Sequence, residues 1–407
     1  MTQPWAAARP LTPESWISVR ARMMFDCCKW DMQSQDHAVL ADFPLVLEED
    51  AWNVLATQSE QLAVETLAAE RELVERPDLH RRLGLSRSLR KALNCEAKSR
   101  PVECARVMRF DFHWTAEGWR ISEVNSDVPG GFIEASGFAE IMNEYYSSYA
   151  PPPNPASSYA DAIAATAGND ATIGLVHATA NSDDTQVMHY LAQGLQRKGL
   201  RAVVIGPNHL KWESGLARIA SSFATATPAV LVRFFPAEWL PNLRPEAIWK
   251  PWFCGGKTAM SNPGSAILTQ SKRFPLVWDE LNAPLATWRS LLPETRCPRE
   301  VPAPSSEWVL KPVLGRVGQD VLVAGVTEAR ASAEIVTNAK RHPDLWVAQR
   351  RFETIALQTH AGTREAGLGV FTVDGWAAGV YGRLATKRLI DQDAQDIAVL
   401  IRRKVSR

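Results

Sequence analysis

Residues 109–131, R-F-D-F-H-W-T-A-E-G-W-R-I-S-E-V-N-S-D-V-P-G-G, restrict the possible fold more than any other stretch of the chain. Around its start Met108, Phe110, Phe112 and Trp114 alternate with Arg109, Asp111 and His113, the period of a half-buried strand. The second half alternates as well, placing Ile121, Glu123 and Asn125 against Arg120, Ser122 and Val124. Between the halves, Ala116-Glu117-Gly118 suits a three-residue hairpin loop whose glycine takes the left-handed position. That register sets Asp111 opposite Glu123 and Arg109 opposite Asn125.

Two carboxylates directly across an antiparallel pair repel, so a sheet needs a reason to hold them there. A bound cation is one such reason. Asp111, Glu123 and Asn125 offer hard oxygen donors, and so few protein ligands, leaving room for water and phosphate oxygens, suit Mg²⁺ better than Ca²⁺. The other reading is a solvated hairpin face whose acids pair with Arg109 and Arg120.

The run R-x-D, E-x-N and D-x-P in this hairpin resembles the synthetase domain of glutathionylspermidine synthases, ATP-grasp ligases that join a carboxylate to an amine. The resemblance implies that Asp111, Glu123 and Asn125 hold Mg²⁺ under the ATP phosphates and that Arg109 stabilises the reacting acyl group. The family's loop after the hairpin runs T-P-T or similar, beside a peptide substrate. Here it is Val128-Pro129-Gly130-Gly131, without those hydroxyls, which puts glutathione itself in doubt.

A second glycine-bearing stretch adds to this. Trp308-Val309-Leu310-Lys311-Pro312 reads as a strand, residues 313–320 as a glycine loop, and residues 321–324 as another strand. Such a hairpin can close over a triphosphate, because glycine permits close backbone approach and lysine neutralises charge. It is not a P-loop, which requires a helix after G-K-[ST]. The string K-P-x-x-G-R-x-G resembles the family's K-P-x-x-G-R-E-G, with Val317 in place of the glutamate. By that resemblance Lys272, Lys311, Gly315, Arg316 and Gly318 hold ATP, and backbone around Gln349, in the strand 346–352, meets the adenine. Arg383 matches an arginine that contacts the transferred phosphoryl or acyl group, with Arg364, Lys387 and Arg388 as competing cations. His113 is a candidate acceptor for the amine's proton, or simply a packed residue.

Elsewhere the chain reads as mixed α/β. Thr12-Pro13-Glu14 starts a helix, residues 48–76 form one long amphipathic helix, a further helix begins near residues 89–93, and residues 132–149 form another. Lys29 and Asp31, in a string resembling the family's amino-terminal part, read as surface pairs or a lobe contact. Pro151 to Ser158 reads as a linker. Strand 171–177, helix 185–198 and strand 202–205 form a β-α-β unit and hence a parallel sheet, with 229–234 as a third strand. Asn181-Ser182-Asp183-Asp184 caps the helix, with substrate contact there as the other reading, and Phe235-Pro236-Ala237-Glu238-Trp239 reads as structural. Strands 368–372 and 376–380 flank Val373-Asp374-Gly375, a strong hairpin signal.

The expected architecture is therefore α/β (α+β): an ATP-grasp fold, circularly permuted because the metal hairpin precedes the nucleotide loop, with a small parallel α/β lobe. The expected divisions are 1–155, helical part and metal hairpin; 156–245, substrate-side lobe; and 246–407, nucleotide-binding part. At 407 residues the chain can bury a large core. Its 45 basic residues balance its 45 acidic ones, so no broad field favours nucleic acid or an anionic membrane. No apolar run reaches bilayer length and no signal-peptide pattern opens the chain, which makes cytoplasm the default. The six cysteines show no metal spacing or disulfide ladder and read as buried or incidental thiols. The chain starts almost at once with its synthetase-like part, so product hydrolysis by a fused amidase is not expected.

The expected function is an ATP-dependent carboxylate-amine ligase acting through an acyl phosphate, with a peptide or amino-acid carboxylate and an amine as substrates, and ATP and Mg²⁺ as cofactors. Two alternatives stand beside it: a degenerate ATP-grasp module that binds nucleotide or a partner without forming a bond, and phosphotransfer with no amine step.

Overall fold

In the computed structural model, which describes residues 3–34, 37–94, 102, 104–244, 247–302 and 305–404, the alternating stretch forms strands Val107–Thr115 and Gly118–Asn125. Asp111 faces Glu123 and Arg109 faces Asn125, as expected. The route to that register differs. Thr115 pairs with Gly118, so the loop is only Ala116-Glu117, and a bulge between Asp111 and Phe112 restores the offset. A bulge places two residues against one and shifts the side-chain phase. Consequently Ile121 and Val124, expected on opposite faces, are both buried. Phe110 and Phe112 are fully buried beside them, each contributing about 2–3 kcal/mol of apolar transfer.

This hairpin does not stand alone. Val107–Thr115 pairs antiparallel with Gly362–Val373, setting Asp111 beside Gly369 and Arg109 beside Phe371. Gly362–Val373 also pairs with Trp376–Ala385 across the two-residue turn Asp374-Gly375, where both residues have positive φ (50° and 88°). The Asp-Gly hairpin is thus as expected, with longer strands. Gln395–Ile397 completes this edge of the sheet. The acid hairpin therefore folds onto carboxy-terminal strands, the permuted order anticipated from the sequence.

The small lobe is a four-stranded parallel sheet in the order Ala259–Ser261, Val230–Phe234, Thr172–His177, Arg201–Ile205. Its first crossover is the helix Ser182–Arg197, capped by Asn181, whose side chain accepts from the Asp183 and Asp184 N–H groups. The strand Ala259–Ser261 is too short to announce itself. The expected linker 151–158 is half helix: Asn154 caps Pro155–Ala167, with proline at its first position. An Asn-Pro pair starts a helix as readily as it interrupts one.

A third unit is the antiparallel sheet Thr295–Arg296, Trp346–Arg350, Trp308–Pro312. The second strand expected at 321–324 shrinks to one bridge, in which Leu322 and Leu310 exchange both backbone bonds. Helices Pro13–Phe25, capped by Thr12, Glu49–Val74 and Arg87–Leu93 match the sequence reading. The helix after the Val-Pro-Gly-Gly turn contains a π-helical segment, Glu134–Phe138, and ends at Tyr145. A sheet joining the two ends of the chain, Trp5–Ala7, Leu45–Glu48 and Val399–Arg402, was not anticipated. Cys254 is disulfide-bonded, unlike the free thiols Cys27, Cys28, Cys104 and Cys297, and departs from the reading of all six as unpaired; Cys95 lies outside the described residues. Among the described residues no helix is long and apolar enough to cross a membrane.

Candidate active site

A cavity of about 920 Å³ lies where the large antiparallel sheet, the three-stranded sheet and the parallel lobe meet. All the sequence-selected residues line it: Arg109, Asp111, Glu123, Asn125, Lys272, Lys311, Gly315, Arg316, Gly318, Gln349 and Arg383. Of the competing cations Arg388 lines it too, held by Glu353 at 3.0 Å.

Each acid of the hairpin has a cationic partner. Arg109 grips Asp111 with two bonds, Nε to Oδ1 at 2.7 Å and Nη2 to Oδ2 at 3.0 Å, while its Nη1 donates to the Gly130 carbonyl at 2.6 Å. The Tyr381 ring lies 5.1 Å from this guanidinium. Asn125 Nδ2 donates to Asp111 Oδ2 at 3.0 Å. Glu123 pairs with Lys272 at 3.0 Å, and burial, which opposes its ionisation, is outweighed by Lys272 and Lys311, so its carboxyl sits below the ordinary range. Arg120, the other partner considered for the acids, instead binds Glu117 at 2.6 Å.

The strand beneath these groups supplies the room. Gly369 is paired with Asp111, and a Cβ there would lie 2.6 Å from Arg109 Cδ and 3.0 Å from Asp111 Oδ1. Gly367 takes the next site-facing position, where a Cβ would meet Ile390 at 2.7 Å. The alternation G-x-G within an otherwise apolar strand was the available signal for this floor.

Lys272 occupies a turn between two short helices, Ile267–Gln270 and Phe274–Glu280, and its ammonium also donates to the Gly315 carbonyl at 2.6 Å. Lys311 is different. Its Nζ donates to Gln349 Oε1 at 2.7 Å and to the Ser122 carbonyl at 3.4 Å, and among the described residues it has no carboxylate within ion-pair distance. Burial pushes its pKa down to about 8, with Glu123 opposing the shift and Lys272 adding to it. Gln349 lies in a strand paired on both sides, to Val309 and Thr295, so its side chain rather than its backbone enters the cavity. Arg351, Phe352 and Glu353, past the strand end, are lining residues whose backbone leaves the sheet. Arg383 donates to the Asp391 and Ala394 carbonyls at 2.8 and 3.0 Å. His113 meets Ser122 Oγ at 3.0 Å, and burial followed by Lys311 pushes its pKa down to about 4, so the ring is neutral near pH 7.

The far end of the cavity carries residues to which the sequence reading gave no catalytic role. Lys29 is buried, not at the surface, and pairs with Glu134 at 2.8 Å and Asp396 at 3.9 Å. Asp183 and Asp184 do more than follow the helix cap: both line the cavity. A hydrogen bond with Asp31, then burial, pushes Asp183 up to about 7, and burial pushes Asp184 up to about 6.

The sequence reading noted the D-x-P string that Asp127 opens but missed the structural role of the Ser126-Asp127 pair at the end of the acid hairpin. Gln270 Oε1 accepts from both backbone N–H groups, at 2.9 and 3.0 Å, and the Asn262 amide donates to the Ser126 and Asp127 carbonyls. Asp127 is completely buried against Arg233, also completely buried. These contacts, from residues far apart in the chain, fix where Glu123 and Asn125 point.

The donor set fits a nucleotide and a divalent ion. Two carboxylates and an amide oxygen are hard ligands, and two lysines stand beside them on a wall that also contains the glycine loop. Among the described residues no group of three or more His, Cys, Asp or Glu side chains is placed to hold a metal ion.

The fold has solved counterparts. A glutathione synthetase-like effector from Globodera pallida, in apo form, superposes with a TM-score of 0.66 at 13% identity, covering 95% of this chain and 96% of that one. A putative gamma-glutamylcysteine synthetase from Methylobacillus flagellatus KT gives a TM-score of 0.43 at 10% identity, over 79% and 83% of the two chains. No protein of curated function matches the sequence. At 13% identity the likeness to the effector shows a shared fold and nothing more. Residues 26–402 match the glutathionylspermidine synthase pre-ATP-grasp family, to which this chain belongs.

Proposed function

We propose that the protein is an ATP-dependent carboxylate-amine ligase. The observation that carries this reading is Lys311: an ammonium held in the cavity wall at a depressed pKa, without a carboxylate partner among the described residues, next to Lys272 and the glycine loop. A buried cation lacking a counter-ion is stabilised by an incoming anion, and a triphosphate supplies one. Family membership supports a synthetase-type reaction.

In this reading Lys272, Lys311 and the loop around Gly315 and Gly318 bind the phosphates, and Asp111, Glu123 and Asn125 would hold Mg²⁺. When bound, that ion offsets phosphate charge and orients the reacting oxygens. A substrate carboxylate oxygen forms a bond to the γ-phosphorus while the bond to the β-bridging oxygen breaks, releasing ADP with the electron pair. The amine nitrogen then attacks the acyl carbon, the C–O bond to phosphate breaks, and inorganic phosphate leaves as the amide forms. Arg109 and Arg383 face the cavity with the charge needed to stabilise the developing oxyanions. The neutral His113 can accept a hydrogen bond from the amine, although a pKa of about 4 makes it a weak base. The acidic end formed by Asp31, Asp183 and Asp184 suits a cationic amine.

Pools of peptides, amino acids and amines incubated with the protein, ATP and Mg²⁺ test this. ADP release that depends on both a carboxylate and an amine, with a product weighing their sum less one water, is expected. A stable phosphorylated carboxylate would show phosphotransfer without an amine step. Nucleotide binding with no turnover across broad pools would favour the non-ligating module, a reading that Val317 in the glycine loop supports.

A further inference from the structure

The glycine loop is held from three directions, and one of them engages the residue that the family resemblance assigns to ATP. Lys272 binds the Gly315 carbonyl. Gly318, with φ of +69°, packs so closely on residues 390–391 that a Cβ would lie 2.9 Å from the Ile390 oxygen. Between these points Arg316 turns toward the parallel lobe: Nη2 donates to Glu238 Oε1 at 2.9 Å, Nε to the same oxygen at 3.2 Å, and Nη2 lies 3.6 Å from Asp127 Oδ2.

We infer that Glu238 and Asp127 clasp Arg316, so that Arg316 anchors the glycine loop to the parallel lobe instead of contacting nucleotide phosphate, and Glu238 is a positioning residue for that loop.

Three features support the clasp. Its acidic side is rigid. Asp127 is locked by Arg233 and by the Ala237 N–H, whose bond to Oδ2 is 2.9 Å, and Glu238 follows Ala237 directly in the short helix Ala237–Asn242. Arg233 in turn donates to the carbonyls of Phe235, Asn262 and Pro263. Neither carboxylate can follow the loop if the loop moves.

Secondly, Glu238 depends on Arg316. Its other oxygen, Oε2, is buried and without a hydrogen-bond partner among the described residues, and burial raises its pKa while Arg316 opposes the rise. An ionised carboxylate half-desolvated in this way needs its guanidinium partner.

Thirdly, the loop needs an external hold. Val317 has φ of +51°, a left-handed conformation that β-branched residues rarely adopt. Its side chain is 55% exposed, so packing does not hold it there. Strained backbone persists only where surrounding contacts determine it, and the neighbouring Arg316 provides those contacts.

The consequence for nucleotide affinity rests on the proposed ATP site; the consequence for loop order does not. Hydrogen exchange at residues 313–320 is measured on the ligand-free full chain for the wild type, E238Q, R316Q and the double variant. Binding of the β,γ-imido analogue of ATP with Mg²⁺ is measured on the same proteins. Exchange in the loop is expected to rise roughly tenfold in either single variant, a typical coupling between ion-paired neighbours, and the double variant should add nothing further. Analogue affinity should drop by a similar factor in E238Q and R316Q alike. The clasp is overturned if E238Q leaves loop exchange unchanged. It is equally overturned if E238Q binds the analogue as well as, or better than, the wild type while R316Q loses it, the pattern of an arginine freed to reach phosphate. Should the wild type bind no analogue, the nucleotide reading fails and loop exchange alone decides the clasp. R316K, which keeps the charge but loses the two-nitrogen contact with Glu238, should fall between wild type and R316Q in exchange.

Discussion

If a triphosphate binds beside Lys311 as proposed, the charge of this lysine, which has no carboxylate partner among the described residues, should make that binding pH-dependent. Its pKa lies at about 8 against an ordinary 10.5. At about 1.4 kcal/mol per pH unit, the cavity disfavours its charged form by about 3 kcal/mol. A phosphate oxygen in contact would recover most of this. Lys311→Met should therefore weaken ATP binding at pH 7 by about two orders of magnitude. In the wild type the complex keeps the proton, whereas the free protein loses it as pH rises through about 8. Binding then requires proton uptake, and affinity should fall by up to about tenfold per pH unit between about 8 and 10. Lys311→Arg, which stays charged throughout, should show no such slope. Stability moves the opposite way. With the folded pKa depressed, the native state binds fewer protons than the unfolded one between about 8 and 10.5, so the burial penalty is complete below pH 8 and vanishes as pH rises past the ordinary value. Titration calorimetry of ATP from pH 7 to 9.5, in buffers of different ionisation enthalpy, measures both affinity and proton uptake. Wild-type affinity that is flat across this range, or Lys311→Met binding within threefold of wild type at pH 7, would refute the reasoning.

Two other substitutions follow from backbone geometry. Gly369→Ala should place a methyl 2.6 Å from Arg109 Cδ, forcing Arg109 off Asp111 and lowering any ATP-dependent turnover more than tenfold. Overpacking of this kind costs about 1–3 kcal/mol. Its circular dichroism spectrum should be unchanged, and Gly194→Ala, away from the cavity and with no atom closer than 3.8 Å to the added methyl, is the control. Val317→Gly should relieve about 1–2 kcal/mol of left-handed strain, offset by about 0.5–1 kcal/mol of added unfolded-chain entropy. Hydrogen exchange of the loop should therefore stay the same or slow; faster exchange would show that Val317 is unstrained.

The residues that carry charge were legible because their spacing follows strand period and loop chemistry, which are local properties. Asp111, Glu123, Lys272 and Lys311 come together as expected. The hairpin register at the acids was right although the loop length was not, since a short loop and a bulge reach the same pairing as a longer loop without one. What remained hidden depends on long-range contacts. Asp127 stood out only as the start of the D-x-P string and Arg233 not at all, and nothing local marks them as a completely buried ion pair. Lys29 read as a surface pair or a lobe contact, and its burial was hidden because its partners Glu134 and Asp396 lie far along the chain. Short strands such as Ala259–Ser261 exist only because a neighbour templates them, so propensity could not reveal them.

The opposed acids are held by cations, one of them Arg109, whose pairing stood beside the metal reading, and this bears on how metal would enter. Asp111 is neutralised by Arg109, and Glu123 by Lys272, so no metal is needed to hold the hairpin together. The same cations are the ones the proposed mechanism turns toward phosphate and acyl oxygens. A triphosphate engaging Lys272 would take away part of the counter-charge of Glu123, which a divalent ion held by Asp111, Glu123 and Asn125 would restore. Metal and nucleotide should then bind with positive coupling, each raising the affinity of the other by the same factor. Mn²⁺ followed by electron paramagnetic resonance should bind weakly to the nucleotide-free protein and much more tightly in the presence of the β,γ-imido analogue, beyond what chelation by the free analogue explains. Lys272→Met, by leaving Glu123 unpaired from the start, should strengthen Mn²⁺ binding without nucleotide even as it weakens the analogue. If Mn²⁺ binds the nucleotide-free wild type as tightly as the complex, the acids are a preformed metal site and the exchange of partners inferred here does not occur.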